Sequence, residues 1–226
     1  MRTLRRKIRI DQDTTVSSSW KVPSGYRPGK DDALILAHGA GDDMTSPFMA
    51  HFHGAFARAG LLSIIFNFPY KEAGRKPPDR MPKLMAAYEA VIDRLRRDEL
   101  APGQLFIGGK SMGGRVATML AAEGVPVEGL VLLGYPLHPA GRPEKLRSDH
   151  LPRIEAPLLF IQGDRDNLCR LDLLRREIRP LGKQASLHVI EGGDHSFKVL
   201  KRSGRDQSEV FDEVVRAVLD WRIRGR

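Results

Sequence analysis

Residues 104–114 read Gln-Leu-Phe-Ile-Gly-Gly-Lys-Ser-Met-Gly-Gly. Gln104–Gly108 is a short apolar run with the length of a buried strand, and Ser111–Glu123, closed by Gly124, has the spacing of a helix. The junction Gly109-Lys110-Ser111-Met112-Gly113 is a G-x-S-x-G turn. Small residues two positions either side of a serine let the strand and the helix approach each other closely. The strained turn then pushes the hydroxyl out at the top of the sheet, and the helix N-terminus faces whatever charge develops there. Alone, the pattern is compatible with a glycine-rich turn holding an idle serine. Between a strand and a helix it marks Ser111 as a nucleophile.

Outward from this turn the segments alternate. Leu4–Ile10 and Thr14–Val22 read as two strands joined at Asp11–Asp13. A basic, acid-free targeting peptide is the alternative for the first ten residues, but neither an apolar run nor a small-residue cleavage site follows. Ala33–Ala37 (ALILA), Leu61–Phe66, Gly129–Leu133, Leu158–Gln162 and Ser186–Ile190 read as further strands. Between them, Pro47–Ala59 (Ser46 as N-cap, Gly60 as stop), Met81–Arg97, Arg170–Arg179 and Gln207–Arg222 read as helices. Asn67–Pro82 and Tyr135–Pro152 read as loops, the second with room for one helical turn. The expected fold is α/β: one domain over residues 1–226, with a mostly parallel central sheet, helices on both faces and right-handed crossovers. The interval from Gly134 to Leu158 is too short for a helical cap domain.

In such a sheet, chemistry gathers beyond the carboxyl ends of the strands. A serine nucleophile needs a base. Of seven histidines, His195 follows the last strand, in Glu191-Gly192-Gly193-Asp194-His195-Ser196-Phe197. His188 lies within a strand, His51 and His53 on the first helix, and His138 and His150 in the long loop. The base needs a carboxylate to hold its tautomer. Gly163-Asp164-Arg165-Asp166 offers two; Asp166 is preferred, with Asp164 as a turn former and Asp194 as a loop-shaping residue. The oxyanion donors are expected to be the N–H groups of Met112 and Ala40, with Gly41 in reserve, from His38-Gly39-Ala40-Gly41. His38 itself reads as structural. Gly41, Tyr135 and Leu137 are the expected substrate contacts.

With His38-Gly39, Gly109–Gly113, Gly163–Asp166 and His195 in place, the chain resembles the α/β-hydrolase superfamily from about residue 30 to 222, and in particular its small, cap-less, dienelactone-hydrolase-like members. The resemblance implies a serine hydrolase acting on a carboxylic ester or thioester through an acyl-enzyme on Ser111. Dienelactone hydrolase carries cysteine where this chain has serine, which argues for ordinary esters or thioesters. The stretch Asn67–Pro78 also resembles a loop in chromatin-associated proteins of this short form, so a non-catalytic interaction module is the alternative. An acyltransferase or perhydrolase with the same three residues is a third.

Other classes find little support. The chain has 226 residues, 41% hydrophobic and 29% charged, with net charge +9. That is a globular balance, and no apolar run reaches the roughly 18 residues of a membrane span. The arginines are scattered and no nucleic-acid motif is present, so no nucleic-acid partner is expected. The one cysteine, Cys169, excludes an internal disulfide and reads as a small buried hydrophobe. No metal motif and no phosphate-loop spacing occurs, so neither metal nor cofactor is expected. A cytoplasmic location is the expectation; the oligomeric state is open. Lys71, Arg75, Lys76, Arg142 and Lys145 lie in loops expected to roof the site. They favour an acidic substrate or are solvated surface charges.

Overall fold

The computed structural model describes residues 1–224, so the last two residues of the expected domain lie outside it. The strands are β1 (Arg2–Arg9), β2 (Thr15–Val22), β3 (Ala33–Ala37), β4 (Leu62–Phe66), β5 (Leu105–Lys110), β6 (Gly129–Leu133), β7 (Leu158–Gly163) and β8 (Ala185–Ile190). They form one sheet in the order β1-β2-β4-β3-β5-β6-β7-β8. The hairpin β1–β2 and the pair β2–β4 are antiparallel; every other pair is parallel. β3 to β7 are buried along their whole length, which is why each is a continuous apolar run rather than an alternating one.

The helices are α1 (Pro47–Arg58), α2 (Pro69–Glu72), α3 (Met81–Arg96), α4 (Met112–Ala122), α5 (Leu171–Ile178) and α6 (Gln207–Arg224). Successive strand residues point to opposite faces, and two cores result. Leu34, Leu36, Ile65 and Val131 pack against α1 (Met49, Phe52, Phe56) and α6 (Val210, Val214, Val218). Ile35, Ile64, Ile107 and Leu132 pack against α3 (Tyr88, Val91), α4 (Val116, Leu120) and α5 (Leu174, Ile178).

α1 begins as its sequence dictates: Ser46 Oγ accepts from Met49 N at 3.4 Å and Pro47 follows. Three differences from expectation bear on the site. β5 continues to Lys110, because its backbone pairs with β6 up to the turn at Ser111. α4 starts at Met112, with Ser111 as its N-cap. The proline-rich loop after β4 contains the short helix α2, which Pro69 starts with its fixed φ. Between β6 and β7 the only helical piece is a three-residue 3-10 turn, Leu151–Arg153; there is no cap domain.

The hairpin is held to the body of the protein by charge and by an aromatic ring. Trp20 is fully buried, the Arg6 guanidinium lies 4.5 Å from its ring centroid, and Arg6 and Arg94 share the buried Asp98 carboxylate.

The turn at Ser111 depends on glycines. A Cβ on Gly113 would lie 2.2 Å from the Ala37 carbonyl oxygen, and one on Gly109 would lie 2.4 Å from the same atom. Gly113→Ala must push α4 away from β3. We expect it to lower folding stability by about 2 kcal/mol or more, as overpacking of a rigid backbone contact does. Chemical denaturation measures this; a loss within 0.5 kcal/mol, roughly the noise of a neutral surface change, would contradict the close-approach argument.

Candidate active site

Ser111 has φ 50° and ψ −115°. A non-glycine residue in that region costs on the order of 1–3 kcal/mol, and the packing of α4 on β3 holds it there. Its Oγ lies 2.8 Å from His195 Nε2, and His195 Nδ1 lies 2.6 Å from Asp166 Oδ2. The structure thus brings Ser111, His195 and Asp166 into one hydrogen-bonded chain at the carboxyl edge of β5, β7 and β8. Asp164, the competing carboxylate, is exposed.

Asp166 is held from three sides. Its Oδ1 accepts from Leu168 N at 2.8 Å, and its Oδ2 accepts from His195 and from the Gln162 side-chain amide. Gln162 is fully buried, and its own Oε1 accepts from Tyr135 N at 2.9 Å. One glutamine therefore ties the loop after β6 to the carboxylate after β7. The His195 loop is shaped by Asp194, whose Oδ1 accepts from Ser196 N (2.7 Å) and Lys198 N (2.9 Å). Phe197 anchors it: φ is 62°, and the ring is fully buried beside Phe48.

The loop Gly39–Gly41 is oriented through its carbonyls. His38 Nδ1–H donates to Gly39 O at 2.8 Å, while His38 Nε2 accepts from Phe68 N at 3.1 Å, which fixes the tautomer. The Tyr70 hydroxyl donates to Ala40 O at 2.9 Å, and Lys71 Nζ to Gly41 O at 3.4 Å. In a trans peptide the N–H points opposite to the C=O of the same unit. Fixing Gly39 O and Ala40 O therefore turns the Ala40 and Gly41 N–H groups to the other side. Gly39 itself lies against Ser111: a Cβ there would be 3.5 Å from Ser111 Cβ. Met112 N–H, the first of α4, has no intramolecular acceptor among the described residues. The neighbouring segment is braced by Asn67, whose Oδ1 accepts from Met44 N (2.9 Å) and whose amide donates to Glu72 (3.0 Å).

Tyr135 and Leu137, expected to touch substrate, do not line the site. Both are fully buried in the core on the α3–α4–α5 face. The Tyr135 ring packs edge-on against Phe160, and its hydroxyl donates to Arg147 O at 2.7 Å. An apolar segment just after a strand can serve as a pocket wall or as core, and here core packing wins. Cys169 is also buried, which pushes its thiol above the usual range and leaves it unsuited to nucleophilic work. Of the loop cations, Arg75 pairs with Asp79 at 2.6 Å and Lys71 serves the Gly41 carbonyl. Among the described residues no cluster of three or more His, Cys, Asp or Glu side chains could hold a metal, and no helix is long and apolar enough to cross a membrane.

With this geometry in hand, comparison places the protein. The family described as alpha/beta hydrolase domain matches residues 30–222, and the chain belongs to it. Solved structures agree in fold at low identity. A Xanthomonas campestris protein described as an α/β serine hydrolase without lid has 19% identity and TM-score 0.74, over 97% of this chain and 94% of that one. A dienelactone hydrolase from Anabaena variabilis has 18% identity and TM-score 0.73, over 99% and 97%. Est1E from Butyrivibrio proteoclasticus has 15% identity and TM-score 0.74, over 96% and 98%.

Sequence reasoning gave no role to Lys110, the residue before Ser111. Its side chain is buried, its Nζ donates to the His195 carbonyl, and it lies 5.2 Å from the Phe48 ring centroid. Burial pulls its pKa from 10.5 down to about 8. Between these values the unfolded chain binds more protons than the folded one, so at this group stability rises with pH. The penalty of burying the ammonium is full below pH 8, about 3 kcal/mol, and is relieved as pH climbs toward 10.5. Urea denaturation of wild type and Lys110→Met from pH 7 to 10 (about three points suffice to define the slope) should show a rise in wild type relative to the variant. Parallel curves would contradict the buried-ammonium account.

Proposed function

We propose that the protein is a serine hydrolase that cleaves a carboxylic ester or thioester through an acyl-enzyme on Ser111. The observation that carries this reading is the single imidazole bonded at one nitrogen to Ser111 Oγ (2.8 Å) and at the other to Asp166 (2.6 Å). His195 Nδ1–H donates to the carboxylate, which leaves Nε2 with its lone pair toward the serine. His195 then takes the Ser111 proton as the oxygen attacks the substrate carbonyl. The negative charge that forms on the carbonyl oxygen meets the N–H groups of Met112 and Ala40, with Gly41 beside them. Donors of this kind are each worth on the order of 10²–10³ in rate. The imidazolium, stabilised by Asp166, gives its proton to the leaving oxygen or sulfur, and the tetrahedral adduct collapses to the acyl-enzyme. Water, deprotonated by the same imidazole, attacks the acyl carbon, and collapse returns Ser111.

Intact-mass spectrometry after treatment with a small fluorophosphonate should show one adduct on Ser111 per chain. Ser111→Ala should take up none, and His195→Ala should react at least about 100-fold more slowly, the usual worth of a general base. Hydrolysis of para-nitrophenyl acetate should fall in parallel. An unlabelled, well-folded wild type would reject the reading and move the weight to an interaction module built on the same fold.

A further inference from the structure

Two arginines beside the nucleophile have no part in the chemistry above. In α4 only Met112, Arg115, Met119 and Ala122 are not buried. Ser111, Arg115 and Met119 follow at steps of four, so one strip of helix surface runs from the nucleophile through Arg115. Helical side chains lean toward the N-terminus, which brings Arg115 back over the turn that carries Ser111. The Arg115 N–H already donates to Ser111 O at 3.1 Å. Arg147 arrives from the loop between β6 and β7. Its N–H donates to Leu137 O at 2.8 Å, and its carbonyl accepts the Tyr135 hydroxyl at 2.7 Å.

The two guanidiniums are close enough to feel each other: burial and then the charge of Arg115 lower the proton affinity of Arg147. Neither has a carboxylate partner among the described residues, and the Nε of Arg115 is buried with no acceptor at all. Elsewhere the fold supplies counter-charges to half-buried arginines, with Asp98 for Arg6 and Arg94 and Glu213 for Arg205. Two adjacent, partly desolvated cations without an anion are a costly arrangement that a carboxylate from outside would relieve.

The side of the substrate follows from the sheet. His195 reaches Ser111 from the loop after β8, whose Phe197 packs in the α1–α6 core. Arg115, Tyr135 and Arg147 lie over the opposite face, with Tyr135 in the α3–α4–α5 core. His195 protonates the leaving group, which therefore sits on its side, and the acyl chain extends toward the arginines. Arg115 is one turn along α4, about 6 Å of helix axis from Ser111, a span a few methylenes cover.

Resting on the serine-hydrolase reading, we propose that Arg115 and Arg147 together bind a carboxylate at the far end of the substrate's acyl chain, so that the preferred substrates are half-esters or half-thioesters of dicarboxylic acids.

The test compares kcat/KM for para-nitrophenyl hydrogen adipate with that for para-nitrophenyl hexanoate, which share leaving group and chain length. Wild type should prefer the adipate half-ester by at least about tenfold, the scale of one charge-assisted bidentate pair. The preference should collapse in Arg115→Met and Arg147→Met, chiefly through KM. It should be largely kept in Arg216→Met, which removes the same charge from the exposed side of α6. Arg115→Gln serves if the methionine variant does not fold. No wild-type preference, or one that survives both arginine replacements, overturns the proposal. So does a preference found only when the carboxylate is on the leaving group, as in meta-acetoxybenzoate against phenyl acetate. If wild type turns over neither ester nor reacts with fluorophosphonate, the hydrolase reading has failed, and the arginine pair is then judged by calorimetry. Adipate titrated into Ser111→Ala should release heat that the added Arg115→Met change abolishes; no binding overturns the proposal independently of turnover.

Discussion

The site depends on one backbone contact, the approach of the turn after β5 to the carbonyl of Ala37. Gly109 and Gly113 both lie where a Cβ would strike that oxygen. Because they have none, α4 starts directly above β3, and Ser111 between them is forced to φ 50°. The strain is local, and the packing that opposes it is spread over two cores, so the fold can hold the Ser111 side chain in one orientation. Everything that follows, from the imidazole distance to the direction of the Met112 N–H, inherits that placement.

Around this fixed point the protein positions its loops through backbone carbonyls rather than through side-chain pairs. His38 and His138 illustrate the principle. Each uses Nδ1 toward a neighbouring carbonyl, Gly39 O or Pro139 O, and Nε2 toward a distant N–H, Phe68 N or Arg170 N. One histidine braces the loop after β3 and the other braces the loop after β7, which carries Asp166. Gln162 links that loop to the one after β6 by donating to the Asp166 carboxylate and accepting from Tyr135 N. Burial lowers the proton affinity of His38, which keeps it neutral and able to donate and accept at once.

The sheet could be read from the sequence because β3 to β7 are buried on both faces, and double burial leaves an unbroken apolar run. The grouping of Ser111, Asp166 and His195 was legible because each follows a strand in an order that the topology makes meaningful. Tyr135 and Leu137 were misplaced because an apolar loop residue carries no mark of which way it faces; that is decided by Phe160 and α4, far away in sequence. Gln162, Lys110 and Tyr70 were invisible for the related reason that their roles are hydrogen bonds to the Asp166 carboxylate and to backbone atoms 27, 85 and 30 positions away. No pattern of residue types records such bonds.

The charges nearest the nucleophile follow a consistent logic. Lys110 sits behind His195 on the α1 side, held by a carbonyl and the Phe48 ring and attracted by the charges of Asp166, Asp42 and Asp194. Arg115 and Arg147 sit on the opposite side with no carboxylate partner among the described residues. The one carboxylate drawn into the centre, Asp166, has its oxygens occupied by His195, Gln162 and Leu168. The Arg115–Arg147 side therefore carries positive charge in a partly dehydrated setting, where Coulomb forces are several times stronger than in water. Such a field stabilises negative charge wherever it appears. On that side it favours the anionic acyl chain proposed above, a preference that arises from leaving two partly buried arginines without a carboxylate partner among the described residues. A net charge of +9 spread over the surface would not achieve this, because salt screens exposed charges within about 10 Å. The cations that matter are the few the fold has placed within one turn of helix of the serine or behind its histidine.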